Sequence, residues 1–255
     1  MTADVNNELA NADPRVVTVW SDVGCPWAML ALHTLHAAAR ELGRDLLVDH
    51  RAFPLELFNR QPTPKTLVEA EVVAIGGNVP ELGLQLWNAA DFTYPVTTLP
   101  ALEAIQAAKD PAVGGLRASD ELDTALREAY LVESRCISVH SVILDVAKQC
   151  EHLNEDALAD AMARGAGRAE IYRQWHTAQG PEISGSPHLF ASGFVAHNPG
   201  VTYRWTARPP IGFPWPGKHG FPVLEHYDRS WATKLLGQVP GCASQTAAAV
   251  VNPEK

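Results

Sequence analysis

Alternating apolar and polar positions mark the first β-strand of the chain. Residues 15–21 combine this period of two with the strand-forming types Val, Thr and Trp. Apolar residues then recur with helical spacing after Pro26, at Met29, Leu32, Leu35 and Leu42. Because proline suits the first position of a helix and Gly43 suits its end, the pattern predicts a helix of about four turns. A second extended run at residues 46–53 completes a strand–helix–strand unit, which is typical of a parallel pair.

The pattern changes to helical spacing between residues 64 and 180, and no strand pattern interrupts it. Glycines at 76–77 and 114–115, and the Gly-Ala-Gly sequence at 165–167, indicate breaks or loops. The predicted helical segments are 67–75, 80–90, 99–109, 118–132, 138–150 and 154–179. We interpret the region as a helical insertion.

Strand character returns after the helical region. Residues 188–191 and 194–196 flank a Ser-Gly turn, which predicts a β-hairpin. Residues 197–222 are rich in Pro, Gly and aromatic residues and are predicted to form an ordered excursion. A short terminal helix is predicted from Asp228 to near Gly237.

The composition and charge of the chain indicate which partners and which cellular compartment to expect. With 46% hydrophobic and 19% charged residues, the chain is typical of a globular protein. Its net charge of −9 repels polyphosphates and anionic membrane surfaces, which argues against nucleic acid as a partner. No run approaches the roughly 18 apolar residues of a membrane span, and the first residues lack the features of a secretory signal. The sequence therefore predicts a cytoplasmic protein that does not enter a membrane.

Cys25 is the leading candidate for chemistry. It lies between the first strand and the first helix, in the sequence Gly-Cys-Pro-Trp. The positive end of a helix dipole and its free backbone N–H groups favour a thiolate, so we expect an activated nucleophile. The alternative is that Cys25 is a small buried apolar residue.

The remaining cysteines and the histidines give weaker signals. Cys136, Cys150 and Cys242 are widely spaced and are interpreted as structural, although the sequence leaves open whether one of them resolves Cys25. His33 and His36 lie three residues apart without a carboxylate or cysteine at ligand spacing, so we interpret them as surface residues and predict no metal site.

Three separated segments resemble one family. Residues 19–27, Val-Trp-Ser-Asp-Val-Gly-Cys-Pro-Trp, are similar to the strand and active-site turn of DsbA-like thioredoxin proteins, particularly the cytoplasmic FrnE-like branch. Residues 51–55, Arg-Ala-Phe-Pro-Leu, resemble the second strand and loop of that branch. Residues 183–190, Ile-Ser-Gly-Ser-Pro-His-Leu-Phe, resemble its segment before the third strand. The branch is related to 2-hydroxychromene-2-carboxylate isomerase and kappa-class glutathione transferase.

The resemblance implies an α/β, thioredoxin-like fold with a large all-helical insertion domain. It implies a discontinuous thioredoxin-like domain at residues 14–58 and 184–238, with the insertion at 59–183. Residues 1–13 are predicted to be a disordered tail and residues 239–255 a loose one. The insertion is expected to roof the active-site residues, so that the substrate cleft forms between the two domains.

The resemblance also implies roles for individual residues. Pro187 matches the cis-proline of the family, whose loop faces the active-site cysteine, and the backbone and hydroxyl of Ser186 are then placed to bind a substrate. Trp27 is expected either to line an apolar pocket or simply to pack the helix start. His188 is a candidate to orient or deprotonate a reacting group.

The sequence departs from the family at the resolving position. The family usually has Cys-x-x-Cys, whereas this chain has Cys25-Pro26-Trp27-Ala28. A single thiolate attacks a substrate and then waits for another thiol to release it. No tightly bound cofactor is expected, and a low-molecular-weight thiol is the candidate cosubstrate.

Three hypotheses follow from the single cysteine. The first is a thiol–disulfide oxidoreductase that acts on a small-molecule disulfide or a protein disulfide. The second is a thiol-dependent transferase or isomerase for an aromatic electrophile, because relatives with Ser in place of the first cysteine perform glutathione-dependent transfer or isomerisation. The third is a noncatalytic thioredoxin-like binding protein, which an unactivated Cys25 favours.

Overall fold

A four-stranded sheet organises the structure, a computed structural model that describes residues 8–206 and 220–240. Its order is β2-β1-β3-β4, with β1 at Val16–Ser21, β2 at Leu47–Ala52, β3 at His188–Ala191 and β4 at Phe194–His197. β1 pairs with β2 in parallel and with β3 antiparallel. Every residue of β1 is buried because the strand is central and both of its faces are covered. The predicted strand–helix–strand unit is confirmed.

Helix α1, Pro26–Glu41, follows β1 and begins directly after Cys25. Pro26 occupies its first turn, and Gly43 takes a left-handed conformation with φ of 60° just after its end, as the sequence predicts. Its apolar face packs with the terminal helix α9, Ser230–Gln238, in a core that includes Leu35, Trp231 and Leu235. The hairpin of β3 and β4 is also confirmed, with one more residue in β4 than predicted.

The chain between β2 and β3 forms helices, as expected for the insertion. These are α2 Leu55–Asn59, α3 Lys65–Gly76, α4 Leu99–Ala108, α5 Gly115–Leu131, α6 His140–Ala147, α7 Glu155–Ala163 and α8 Arg168–Thr177. None of the helices in the described part of the chain combines the length and apolar character that a membrane span needs. The boundaries at residues 59 and 183 stay a prediction.

Two predicted helices differ from the structure. The segment 80–90 contains only a short 3-10 turn, Pro80–Leu82, because Gly83 takes a left-handed conformation with φ of 66° and ends it. The segment 154–179 is two helices, separated at Gly165, which has φ of 66°. At Gly167, an added Cβ would lie 2.0 Å from the Glu103 carbonyl oxygen, so the chain passes too close for any larger residue.

Part of the predicted aromatic excursion forms a second sheet that the sequence pattern does not reveal. β5, Val201–Thr206, pairs antiparallel with β6, Phe221–Tyr227. Phe221 of β6 packs on Ala70 and Ala74 of α3, which joins this ribbon to the helical region. Residues 207–219 of the predicted excursion lie outside the described residues.

The prediction of terminal tails is partly wrong. Trp20 donates a hydrogen bond from Nε1 to the Leu9 carbonyl at 2.8 Å, and the Asn11 N–H donates to Thr18 Oγ1 at 2.8 Å, so residues 8–13 are bound to the sheet. At the other end, Val239 is buried and its carbonyl accepts a bond from Arg44 at 3.0 Å. Residues 1–7 and 241–255 of the predicted tails lie outside the described residues.

Gly200 precedes β5 at a point where the chain passes very close to the Asp228 carbonyl. It has φ of 73°, and a Cβ there would lie 2.1 Å from the Asp228 carbonyl oxygen, whereas Gly43 has φ of 60° and nothing within 4 Å of an added Cβ. We expect Gly43→Ala to lower the free energy of unfolding by about 1 kcal/mol, from backbone strain alone. Gly200→Ala should cost about 3 kcal/mol or more, because it adds a steric clash. Urea unfolding measures both, and equal losses would contradict the clash.

Candidate active site

The turn between β1 and α1 is built around the Asp22 carboxyl. Asp22 Oδ1 accepts a bond from the Gly24 N–H at 2.8 Å, while Oδ2 accepts from the Leu55 N–H at 2.9 Å and the Thr98 hydroxyl at 3.1 Å. Burial raises the pKa of this carboxyl, although these bonds oppose the shift. Asp22 therefore ties the turn to the helical region. Sequence analysis missed it, because nothing in the spacing distinguishes it from a turn residue.

Arg127 of α5 holds the same turn from the other side. Its guanidinium donates from Nη1 to the carbonyl oxygens of Asp22, Val23 and Cys25, at 2.9, 3.3 and 3.4 Å. Nη2 donates to Ser21 Oγ at 2.8 Å. Arg127 also forms a two-point ion pair with Asp123, at 2.7 and 3.0 Å, with only 2% of its side chain exposed. In the sequence, the i,i+4 spacing of Asp123 and Arg127 indicates an ion pair on a helix. It does not indicate that the pair is buried, because the same spacing is common on exposed helices.

The cis-proline loop meets Cys25 as the resemblance implies. The Ser186–Pro187 bond is cis, and the Cys25 thiol lies 3.5 Å from the Ser186 carbonyl oxygen. The Ser186 hydroxyl accepts a bond from the Asp22 N–H at 3.0 Å. Contrary to the expectation of a free substrate contact, the hydroxyl thus helps to close the turn. The structure brings Cys25, Ser186 and Pro187 together, and their roles toward a substrate stay a prediction.

His188 is buried and has partners of its own. It is buried rather than solvent-facing, its Nδ1 accepts a bond from the Ser184 N–H at 2.9 Å, and its ring stacks on Phe190 at 4.7 Å. Burial, with the neighbouring His197, lowers the pKa of His188 to about 4. An imidazole with this pKa is a weak base at neutral pH, and none of its contacts in the described part of the chain joins it to Cys25. The prediction that it deprotonates a reacting group is not supported.

Trp27 packs the helix start and also forms an aromatic wall. Its ring stacks on Tyr203 of β5 with centroids 4.7 Å apart, and Tyr203 meets Trp205 edge-on at 6.2 Å. Trp27 is buried in the core, as its packing role implies, and its role in lining a pocket stays a prediction. Its buried Nε1 has no hydrogen-bond partner within residues 8–206 and 220–240, which is unusual for an indole N–H. Pro26 and Ala28 form the first turn of the helix, and Ala28 is fully buried.

The expected activation of Cys25 is wrong for this structure. Its side chain is only 4% exposed, and burial raises the pKa of the thiol to about 12, with a further increase from the Glu71 carboxylate. The Ser186 contact, the Ala28 N–H and Arg127 favour the thiolate but are outweighed. A helix dipole supplies about half an elementary charge, whereas full burial can shift a pKa by 3–5 units. Desolvation therefore dominates.

Cys25 is buried, and the predicted cleft between the two domains stays a prediction. A cavity of about 20 Å³ lies next to Gly24, with room for about one water molecule. Larger cavities, of about 290 and 380 Å³, lie along α1 and α5 and share the lining residues His36, Arg40 and Glu128. His36 bonds to Asp120 Oδ2 at 2.9 Å in this region, so it is not the simple surface residue expected.

Glu71 is a further candidate residue that sequence analysis missed. It lies on the face of α3 that also carries Val68 and Ile75, both buried in the core that contains Cys25 and Trp27. Burial raises the pKa of its carboxyl to about 7. The Trp27 indole N–H is near enough to favour the carboxylate, but not at hydrogen-bonding geometry. A carboxylate within an apolar helical face was the signal that could have revealed it.

The other cysteines give no evidence of a resolving role. Cys136 and Cys150 are free thiols, the former half-buried and the latter buried. Burial and Glu121 raise the pKa of Cys150 to about 12. Cys242 lies outside the described residues. No group of three metal-ligating side chains occurs in the part of the chain that the structure describes.

The fold and the cysteine turn define a thioredoxin-fold protein with a cis-proline loop. A family profile for the DSBA-like thioredoxin domain matches residues 16–202, so the chain belongs to the DsbA-like thioredoxin family. No curated protein matches the sequence.

Three solved structures are similar to this chain, and the two with a TM-score of 0.51 share its fold. A 2-hydroxychromene-2-carboxylate isomerase is 15% identical with a TM-score of 0.51, over 71% of this chain and 87% of that one. A probable DsbA oxidoreductase from Streptomyces coelicolor is 16% identical with a TM-score of 0.51, over 68% and 79%. The cytosolic disulfide reductase DsbM from Pseudomonas aeruginosa is 18% identical with a TM-score of 0.48, over 71% and 88%.

Glu71 should make stability depend on pH. Its folded-state pKa of about 7 lies above its ordinary value of 4.5, so the fold loses stability as pH rises from about 4.5 to about 7. Glu71→Gln removes this loss and should raise the free energy of unfolding by about 1–3 kcal/mol at pH 8. Below about pH 4.5 the gain should vanish, because wild-type Glu71 is then protonated in both states.

Urea unfolding at several pH values measures this effect. Glu69→Gln is the matched control, since Glu69 lies on the same helix and pairs with Lys65 at 3.6 Å on the surface. A gain of equal size at low and high pH would show that the effect does not come from ionisation of Glu71.

Proposed function

We propose that this protein is a thiol–disulfide oxidoreductase that works through Cys25 alone. The observation that carries the proposal is the meeting of the Cys25 thiol with the Ser186 carbonyl, at 3.5 Å beside cis-Pro187. An extended substrate that brings a disulfide to Cys25 can bond to the backbone of this loop. Ala28 occupies the position of the second cysteine in dithiol relatives, so release depends on an external thiol.

The proposed cycle has two exchange steps. The Cys25 sulfur attacks one sulfur of a substrate disulfide, forms a mixed disulfide and displaces the other sulfur as a thiolate. A low-molecular-weight thiol then attacks the substrate sulfur of the mixed disulfide and releases Cys25. The substrate is a small-molecule disulfide or an accessible protein disulfide, and a reducing cytoplasm is the compartment that supplies the second thiol.

The aromatic wall favours a second candidate, thiol-dependent transfer or isomerisation of an aromatic electrophile. The buried Trp27 ring, at the start of α1, is stacked by the half-buried ring of Tyr203, and Trp205 meets Tyr203 edge-on, so aromatic side chains cluster beside Cys25. The isomerase with a similar fold supports the architecture alone. In this case Cys25 or a bound thiol adds to the electrophile, and no disulfide is reduced.

Replacement of Cys25 tests the catalytic proposals. Hydroxyethyl disulfide with excess glutathione is the probe for disulfide reduction, and chlorodinitrobenzene with glutathione is the probe for transfer. We expect Cys25→Ser to lower disulfide reduction by about 100-fold or more, to the uncatalysed rate, because the nucleophile is lost. Cys136→Ser, at a half-buried thiol, should leave it unchanged.

Each outcome favours one hypothesis. Activity with chlorodinitrobenzene alone would favour the transferase. Turnover that persists in Cys25→Ser, or no turnover in the wild type, would overturn the oxidoreductase proposal. The latter result would favour the binding protein, with which the buried thiol is consistent.

Ala28→Cys should supply the resolving thiol that this chain lacks. Residues 25 and 28 are separated by one helical turn, which brings their Cα atoms within the range of a disulfide. After treatment with glutathione disulfide, we expect wild-type Cys25 to keep one glutathione adduct. Ala28→Cys should expel the adduct and form an internal disulfide, a difference that intact mass resolves. Ala28→Ser, similar in size, should keep the adduct, and an adduct that persists on Ala28→Cys would contradict the proposed geometry.

A further inference from the structure

Five ionisable side chains form a row of contacts that ends at the turn between β1 and α1. Along the row, bases alternate with acids in the order His36, Asp120, His50, Asp123 and Arg127. Asp120 Oδ2 lies 2.9 Å from His36 Nε2, and its Oδ1 lies 2.8 Å from His50 Nε2. Asp123 lies 3.6 Å from His50 Nδ1 and 2.7 Å from Arg127 Nε. Because Arg127 binds the carbonyls of the turn, the row connects His50 to the backbone of the turn.

His50 is the central member of the row, and each of its ring nitrogens faces a carboxylate oxygen. Only 3% of its side chain is exposed. The bond to Asp120 needs a proton on Nε2, because an ionised carboxylate accepts hydrogen bonds and donates none. A ring with that proton alone would turn the lone pair of Nδ1 toward Asp123, which is an anion paired with Arg127. A second proton, on Nδ1, makes the 3.6 Å approach attractive, as a charge contact that is too long for a hydrogen bond.

The charge balance of the row also favours two protons on His50. Although burial acts against it, the bonds from the two histidines hold the pKa of Asp120 well below its usual range, so Asp120 is an anion. Asp123 is a second buried anion, with 2% of its side chain exposed. A neutral His50 would leave Arg127 as the one fully buried cation of the row against two carboxylates, and an unbalanced buried charge is costly.

We propose that His50 carries a proton on each ring nitrogen and that its positive charge, which acts through Asp123 and Arg127, makes Cys25 easier to ionise. The inference rests on the proposed function, because it takes Cys25 as the reacting group. Arg127 bonds to the Cys25 carbonyl at 3.4 Å, and against the larger effect of burial its charge favours the thiolate. Asp123 weakens this effect because it neutralises Arg127. A protonated His50 offsets Asp123, so more of the Arg127 charge acts on the sulfur. His50 is thus a positioning residue that acts on Cys25 through other side chains.

Other charged groups contact β2 without facing the His50 ring. Asp49 and Arg51 are the strand neighbours of His50, so their side chains leave the opposite face of the sheet. Lys109 of α4 donates to the His50 carbonyl and pairs with Asp49 at 2.5 Å. Glu170 of α8 bonds to side chains of its own helix, and β1 has no charged side chain. The charged groups on the ring side of His50 in the described part of the chain are those of the row: Asp120, Asp123, His36 and Arg127.

A purely structural role for His50 predicts the opposite change in reactivity. Loss of a side chain that only braces the turn would loosen it and expose the buried Cys25 thiol, which speeds alkylation. Loss of the His50 charge makes the thiolate harder to form and slows alkylation, because the thiolate is the reacting form. The direction of the change therefore separates the two roles.

Nitrogen-15 NMR measures the protonation of His50 directly. An imidazolium gives two similar nitrogen shifts, whereas a neutral ring gives two widely separated ones. At about pH 6 we expect the shifts of an imidazolium for His50, with its signals assigned by their loss in His50→Gln. His188 is the internal comparison, because burial lowers its pKa to about 4 and its ring should be neutral at the same pH. A His50 ring without a proton on Nδ1 at pH 6 would overturn the inference.

Alkylation of Cys25 by N-ethylmaleimide, with the modified site mapped by mass spectrometry, measures the effect on the sulfur. The wild-type rate should rise with pH as the thiolate fraction grows, and the rise should flatten over the interval in which NMR shows His50 losing a proton. We expect His50→Gln to react about 3–10-fold more slowly at pH 6 and to show no flattening. His152→Gln is the matched control, since His152 pairs with Glu121 of the same helix on the surface, and it should match the wild type.

A variant that keeps the charge completes the test. His50→Lys retains a cation at this position, so its rate at pH 6 should return toward that of the wild type, again without flattening. If neither variant folds, the NMR titration and the alkylation profile of the wild type decide the matter, because their midpoints must coincide. A His50→Gln rate equal to or above the wild-type rate would overturn the inference while the proposed function stands. Alkylation needs no disulfide, so a wild type that reduces no disulfide but shows these effects would overturn the proposed function alone.

Discussion

The buried guanidinium of Arg127 is the interaction on which the active-site turn depends. It donates hydrogen bonds to three backbone carbonyls of the turn, those of Asp22, Val23 and Cys25. Asp123 neutralises its charge. These carbonyls belong to a loop that leaves the sheet, so they have no strand partners of their own. A buried ion pair is strongly sensitive to loss of either partner, at about 3–5 kcal/mol. Helix α5 of the helical region therefore holds the turn that follows β1 of the sheet.

Further polar residues lie next to the Arg127–Asp123 ion pair. His50 Nε2 bonds to Asp120 Oδ1 at 2.8 Å, and its Nδ1 lies 3.6 Å from Asp123, the partner of Arg127. Asp120 also bonds to His36, whose side chain lines the cavities between α1 and α5. Through the bonds of Asp120 to His36 and His50, this group of residues joins α1, β2 and α5, while His50 Nδ1 makes no hydrogen bond in the described part of the chain.

The sequence could reveal the local units but not the contacts between distant segments. Residues 15–21 and the spacing of Met29, Leu32 and Leu35 contain enough information for β1 and α1, because one periodic pattern spans each element. The turn and cis-proline loop could be located by resemblance. The β5–β6 ribbon, Arg127 and Glu71 could not, because each depends on packing between residues far apart in the chain. The segment 80–90 has a helical apolar pattern, but the left-handed conformation of Gly83 ends the short 3-10 turn there. The pattern alone does not reveal this conformation.

Burial of Cys25 also determines which direction of thiol chemistry suits this site. A thiol with a pKa near 12 is a poor leaving group, so a mixed disulfide at Cys25 is more stable than one at an acidic thiol. Strongly oxidising members of the thioredoxin superfamily achieve the reverse, because they stabilise the reduced thiolate. The environment of Cys25 thus favours taking sulfur from a substrate disulfide, that is, reduction. It also makes the departure of the Cys25 proton the difficult step, because neither the helix dipole nor Arg127 compensates for the lost solvation.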